Sequence, residues 1–403
     1  MPVSSTFSNV AVMLALSTGL APFAREDSLA ACEDNLVARR ANATIASASA
    51  EPPTASAEPP TASAERSAKD APRRTSLFDA MAFETWRVVG GRARFEVVPP
   101  ANGGTGPTLV GRGPIERNGF LASPRALGDF RLSVEVRLGS ADNPQGEKMN
   151  SGIQIRSRET DGTIAGLQIE VDPTPRRWSG GVYDERGRGW LASLADDAAA
   201  QAAFRLGEWN TYDIECIGPR VRTKVNGIPC AEWYDGIVDG LLAFQVHGGP
   251  PCEVAFRAPV LEELGVHTWT PFADAPAASS GERVAWTGTF AKGAVGLRLA
   301  SSGGGRLEIA ADDEQPLAVI DIAPITSISD GRGASREATA EERARVRRIE
   351  TVWSETAREG VDGAVLVDGA RVTQLSLTAD PRRVRFISAD ARVERAEQLL
   401  PKP

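Results

Sequence analysis

Residues 130–138 alternate without a fault. Phe130, Leu132, Val134, Val136 and Leu138 fall on one side of an extended segment, and Arg131, Ser133, Glu135 and Arg137 on the other. Strict period-two alternation marks a strand with one dry face and one wet face. The pattern returns at Ile153 and Ile155, at Leu167, Ile169 and Val171, at Tyr212, Ile214 and Cys216, and at Val221, Thr223 and Val225. Asn226-Gly227 closes the last of these with a hairpin signal. Residues 86–89 and 93–98 read as two strands joined by a hairpin turn at Gly90-Gly91. Residues 241–246 are apolar on both faces near their start, which suits a central strand, and 254–257 and 260–264 complete the set. Regularly spaced strands broken by turns predict a mainly β, two-layer antiparallel sandwich. With 39 Gly and 27 Pro, the chain has the turn residues such a fold consumes. The Ala-rich stretch 191–204 reads as one short helix or an ordered loop, and Trp209 and Tyr212 read as core.

At 403 residues the chain is longer than one ordinary domain. Residues 1–75 read as an export segment and a tether. Val10 to Ala24 is an apolar run, and Leu29-Ala-Ala-Cys32 resembles a lipoprotein cleavage site, which would make Cys32 a lipidated membrane anchor. Residues 41–74 are Pro/Ala/Ser/Glu-rich and cannot bury enough apolar area to order themselves. The expected location is therefore extracytoplasmic, periplasmic or secreted, as for a bacterial exported protein. Residues 76–265 form the sandwich, and 266–282, Ala/Ser/Pro-rich toward its end, reads as a linker. Residues 283–395 read as a smaller β-rich accessory domain. Its strands fall near 284–290, 295–300, 306–309, 317–322, 364–367, 372–377 and 384–387. The capping box Thr339-Ala-Glu-Glu342 starts its one helix, which runs to about Arg358 and stops at Gly360.

Several function classes are excluded. A net charge of −8 gives no basic field for nucleic acid. No segment reaches the roughly 18 apolar residues of a spanning helix. Two histidines cannot build a His-rich metal site, and the four cysteines match no zinc spacing. Cys216 reads as a buried small hydrophobe, and pairing between two of Cys216, Cys230 and Cys252 stays open. No cofactor is certain. Carboxylates and one His would suit a divalent cation, but no spacing defines its site, and the sequence leaves the oligomeric state open.

Chemistry concentrates between Met149 and Asp184. Gln154 and Arg156 on one strand, and Gln168, Glu170 and Asp172 on the next, are out of phase with the apolar residues beside them. Gln245 and His247 alternate with Phe244 and Val246 in the same way. If these strands share a sheet, the polar residues line one surface. Each residue has a plainer reading: a solvated outer face for Gln154 and Arg156, a turn beside Pro173 for Asp172, a tight strand entry for Asn150, and a turn at Gly248-Gly249 for His247. Tyr183, Asp184, Glu185 and Arg186 follow a Gly-Gly turn and read as a loop with solvated carboxylates. Trp178 is either a platform for a ligand or packing for its own sheet, and His267 reads as structural.

In order along the chain, Asn150-Ser-Gly-Ile-Gln-Ile-Arg-Ser-Arg158, Gly166-Leu-Gln-Ile-Glu170, Tyr183-Asp-Glu-Arg186, Gly207-Glu-Trp-Asn-Thr-Tyr212, Val225-Asn-Gly-Ile228 and Phe244-Gln-Val-His-Gly-Gly249 resemble the 3-keto-disaccharide hydrolase domain family. The resemblance covers residues from about 77 to 264. It departs at Leu167, where the family usually carries Tyr, and at Ala258-Pro259, where it carries Asn or Asp. What it implies is a concanavalin-like jelly roll acting on sugars whose C3 hydroxyl is oxidised to a ketone. An oxidising partner enzyme would supply that ketone. In such a sugar the ketone acidifies the C2 hydrogen, so the chemistry needs a base, a stabiliser for the enolate and an acid for the leaving oxygen. Glu170, Arg156 and His247 are the expected catalytic residues. Gln154, Gln168, Gln245, Asn150, Trp178 and Tyr183 to Arg186 are the expected substrate contacts. The competing readings are a non-catalytic carbohydrate-binding sandwich and a two-carboxylate glycosidase.

Overall fold

The computed structural model describes residues 74–99, 106–139, 149–249, 251, 253–273, 283–289, 291, 293–302, 305–311, 316–322, 327–329, 335–343, 347–356, 360–377, 383–389 and 392–402. Residues 1–73 of the expected export segment and tether, Cys32, Cys252 and residues 274–282 of the expected linker lie outside them, and residues 74 and 75 of that tether belong to the first strand. In chain order the first strands are β1 (Arg74–Ser76), β2 (Arg87–Gly90), β3 (Arg94–Val98), β4 (Thr108–Arg112), β5 (Gly119–Ala122), β6 (Asp129–Leu138), β7 (Ser151–Thr160) and β8 (Thr163–Val171). They are followed by β9 (Val182–Glu185), β10 (Gly189–Ala192), β11 (Asn210–Ile217), β12 (Arg220–Val225), β13 (Ile228–Tyr234), β14 (Leu241–Val246) and β15 (Glu253–Ala273).

Two antiparallel sheets result. One runs β10-β9-β8-β7-β14-β5-β2, with β14 central as its apolar start requires. The other runs β13-β12-β11-β6-β15, with β4 and β1 also on β15. The alternating apolar residues meet between them: Phe130, Leu132, Val134 and Val136 from one sheet face Ile153, Leu167, Ile169 and Phe244 from the other, all buried. Each such side chain contributes about 1.5–3 kcal/mol by leaving water. Tyr212 is part of this core, but Trp209 is not. Trp209 lies half-buried on the outer face between the guanidiniums of Arg137 and Arg257, 4.8 and 4.0 Å from its ring. Cys216 and Cys230 are free thiols, and burial pushes them up to about 12 and about 11.

Three local expectations give way to tertiary pairing. Gly90-Gly91 is not a hairpin: β2 pairs with β5 and β3 with β4, so the chain changes sheets there. A Cβ on Gly91 would stand 2.1 Å from the Arg117 carbonyl oxygen, so the crossing needs glycine. The stretch from 266 continues β15 as far as Ala273, where it pairs in register with the last strand, Val266 against Lys402. The expected long helix is one turn, Ala340–Arg343. Residues Arg347–Thr356 form a central strand instead, hydrogen-bonded on both edges and burying Ile349, Thr351, Val352 and Trp353. The capping box is a local signal, and two flanking strands outweigh it.

The C-terminal strands are β16 (Arg283–Thr289), β17 (Gly296–Ser302), β18 (Gly305–Ala311), β19 (Pro316–Ile322), β20 (Ser327–Ser329), β21 (Ser335–Glu337), β22 (Arg347–Thr356), β23 (Gly360–Val367), β24 (Ala370–Leu377), β25 (Arg383–Ala389) and β26 (Arg392–Lys402). The large sheet continues β15-β26-β17-β22-β23-β24 into them, while β16, β25, β18 and β19 form a separate sheet. Val352, Ala364 and Leu366 join the core of the sandwich. No helix among the described residues is long and apolar enough to cross a membrane.

Candidate functional site

The polar row lies on the face of the β7–β8–β14 sheet turned away from the core. That sheet curls tightly. β2 comes to lie against β8, and Val89, Phe120, Ala122, Ile164 and Ala243 pack together inside the hollow. Asn118, just before β5, donates to the Glu185 carboxylate on β9 at 3.2 Å, although the two strands stand four places apart in the sheet. Gln154, Gln168, Gln245 and Glu170 are thereby enclosed, each 3% exposed or less.

Their hydrogen bonds all point the same way. Ser157 Oγ donates to Gln154 Oε1 at 2.6 Å, and Gln154 Nε2 donates to Gln168 Oε1 at 2.7 Å. Gln245 Nε2 joins it on the same oxygen at 2.9 Å. Gln168 Nε2 then donates to Glu170 Oε1 at 2.6 Å, and Asn150 Nδ2 to Oε2 at 3.1 Å. The chain of amides ends on one carboxylate. Gln154, Gln168 and Gln245, expected as substrate contacts, instead spend their reach on one another and hold Glu170 in place. Burial pushes the Glu170 carboxyl up to about 7; the donors pull it down, and the charges of Asp172 and Glu185 push it further up. Glu170 thus changes charge near neutral pH rather than in the ordinary carboxylate range.

A gap in the row makes room for this chain. Gly152 sits opposite Glu170 across β7 and β8. A Cβ there would fall 2.4 Å from Gln168 Cδ. Gly152→Ala should therefore displace Gln168 and remove its hydrogen bond to Glu170. Losing a bond to a charged group, about 1.5–3 kcal/mol, raises the Glu170 pKa above its present value by about one to two pH units. A carboxyl ¹³C NMR titration reads this directly, and an unmoved titration would show that Gln168 does not hold the carboxylate.

Around Glu170 stand the groups that face outward. Tyr183 and Glu185 share the Gln168 side of β9. Burial raises the Tyr183 pKa, with Glu185 and Glu170 adding to the effect, so the phenol stays protonated. Glu185 is raised chiefly by burial too. Asp172 is buried, accepts from the Thr174 amide at 3.2 Å and pairs with Arg176 at 2.9 Å, so it is both turn former and ion partner. His247 stands exposed after β14, yet crowding by protein is the first cause lowering its pKa, with the Asp172 and Arg176 charges acting on it in opposite senses. Trp178 is half-buried, edge-on to Trp190 at 4.6 Å, and Trp190 meets Tyr183 at 5.3 Å. The Arg176 guanidinium lies over both indoles, at 5.7 and 5.3 Å. Glu185, Arg186, Asn118, Thr163, Gly248 and Gly249 line an adjoining cleft of about 380 Å³.

Two expected site residues lie elsewhere. Arg156 has φ of 47° at a bulge between Ile155 and Arg158, which turns its side chain to the other face and gives its place in the row to Ser157. It is 1% exposed, donates to the Ile237 carbonyl at 3.1 Å and lies 3.8 Å from Asp129. It cannot stabilise charge at Glu170. Asp184 pairs with Leu167 on the side away from the row and holds Arg188 at 2.5 Å. His267 is structural, 2.9 Å from Asp129. The cation beside the site is Arg176, held by Asp172 across the turn that Pro173 opens, a contact that strand parity does not foretell. Among the described residues no three His, Cys, Asp or Glu side chains are grouped to hold a metal.

Comparison with known proteins finds a family model that this region matches. A family model described as a 3-keto-alpha-glucoside-1,2-lyase-like domain matches residues 73–261. No curated protein matches the chain. Among solved structures, the carbohydrate binding module CBM66 from Bacillus subtilis is 12% identical, covering 44% of this chain and 96% of its own, with a TM-score of 0.33. A Bacillus licheniformis beta-glucanase is 14% identical over 44% of this chain and 92% of its own, with a TM-score of 0.27.

Proposed function

We propose that the protein cleaves the glycosidic bond of 3-keto-glycosides by elimination, with Glu170 as the base, a reading that starts from the match of residues 73–261 to the 3-keto-alpha-glucoside-1,2-lyase-like domain model. The observation that carries the reading is a fixed, nearly enclosed carboxylate whose pKa lies near 7. A general base works best when its pKa is close to the working pH. The Glu170 carboxylate takes the C2 proton. The electron pair of that C–H bond delocalises onto the C3 oxygen, beside the Tyr183 hydroxyl and the Arg176 guanidinium. The enolate then collapses to a C1–C2 double bond as the C1–O bond breaks, and the leaving oxygen takes up the proton that Glu170 removed while accepting a hydrogen bond from the imidazole N–H of His247. Water adding its hydroxyl to C1 and returning a proton to C2 makes the net reaction a hydrolysis; without that addition it is a lyase reaction. Trp178, Trp190 and Tyr183 wall the sugar.

The test is incubation of the purified protein with a 3-keto-disaccharide and with the same disaccharide unoxidised. We expect mass-detected cleavage of the first only. The rate should rise with pH through about 7, because Glu170 is a base only once deprotonated. Binding of 3-keto-glycosides without turnover would replace this reading with a carbohydrate-binding module. Cleavage of the unoxidised sugar at the same rate would exclude the elimination.

A further inference from the structure

A second cavity, of about 680 Å³, opens between the sandwich and the C-terminal strands, and none of Gln154, Gln168, Glu170 and Gln245 lines it. Its size lies within the range of small-ligand sites. On the sandwich side Arg188 is fully committed: it reaches Asp184 at 2.5 Å, Asp235 at 2.7 Å and the Gly369 carbonyl at 2.9 Å. Asp235 is saturated as well, by Arg188, the Trp233 indole N–H and the Ile237 amide. These groups brace the walls and leave little to offer a ligand.

Glu350, on β22, is different. Its side chain is 6% exposed, it lines the cavity, and its ion-pair partner among the described residues is Arg348, as distant as 3.8 Å. It is seated against Gly236: a Cβ there would lie 2.0 Å from Glu350 Oε2, so the cavity floor needs glycine at that point. Burial, with Asp235 second, pushes its carboxyl up to about 7. At the rim stand the guanidiniums of Arg348 and Arg395, 60% and 62% exposed. A carboxylate left with so little hydrogen bonding in a closed place is costly unless something donates to it.

We propose that this cavity is a second carbohydrate site, taking an unoxidised sugar whose hydroxyls donate to Glu350 and accept from Arg348 and Arg395. The mixed charge selects the ligand class. A simple anion would meet Glu350, and a simple cation would meet two arginines. A neutral polyol carries donor and acceptor in each hydroxyl and satisfies both walls at once. The site is separate from Glu170, so it neither needs nor implies the elimination reaction.

Saturation-transfer NMR with maltose, cellobiose and trehalose as probes tests this on the full chain. At least one probe should bind wild type and Glu170→Gln equally. Binding should weaken at least tenfold in the double variant Arg348→Ser, Arg395→Ser and severalfold in Glu350→Gln, with cleavage of a 3-keto-disaccharide unchanged in both. The exposed arginines leave the fold intact when removed, and circular dichroism checks it. Absence of binding by all three sugars to wild type, or binding unaltered in the arginine double variant, would overturn the site.

Discussion

Glu170→Gln should lower kcat on a 3-keto-disaccharide by about 10³-fold, within the range that a positioned general base contributes. The amide keeps the shape of the side chain but cannot take a proton. Two donors converge on the carboxylate, Gln168 Nε2 and Asn150 Nδ2, and the new side chain can accept from only one of them through its single oxygen. That loss is set against a gain with a definite pH dependence. A carboxyl whose folded-state pKa is raised from 4.5 to about 7 adds its full stability below the unfolded value. The contribution is lost as pH rises through about 7, because the folded protein then holds an ionised group away from water. At pH 8 removing the charge relieves up to about 3 kcal/mol, offset by the unmatched donor at about 1–3 kcal/mol. The variant should be inactive yet at least as stable as wild type at pH 8, by urea denaturation. A large drop in stability with a proportional drop in rate would make Glu170 a structural residue.

Parity made half of this site legible. Gln154, Gln168, Glu170 and Gln245 share a face because a strand alternates, and the strands named from apolar spacing do lie side by side. What parity cannot report is a bulge. One residue in the left-handed region at Arg156 reverses the phase, so the strongest cation of the row became a buried interior group while Ser157 took its place. Curl is also invisible in sequence. The Asn118–Glu185 bond across three intervening strands encloses the glutamines and turns expected sugar contacts into supports. At the other end of the chain, the helix expected after Thr339 failed because its cap is local, whereas β22 pairs on one edge with β17, far back along the chain, as well as with the following strand β23.

The displaced Arg156 has its own consequence. Asp129 accepts from the Gly218 amide at 2.9 Å, faces His267 at 2.9 Å and lies 3.8 Å from Arg156, all with little solvent. Asp129→Ala should cost about 3–5 kcal/mol, since it leaves a buried guanidinium without its carboxylate. The same argument makes the second substitution informative. Adding Arg156→Met removes the stranded charge and replaces it with an apolar chain of similar length, and apolar replacement of a whole buried pair is often neutral. The double variant should therefore be more stable than Asp129→Ala alone, with a coupling energy of about 1–3 kcal/mol from urea midpoints at constant m. Arg156→Met by itself should retain its rate on a 3-keto-disaccharide within a fewfold, because its side chain lies on the opposite face of the sheet from Glu170. A loss of rate by orders of magnitude with stability unchanged would return Arg156 to the chemistry and would mean that the bulge reverses during turnover.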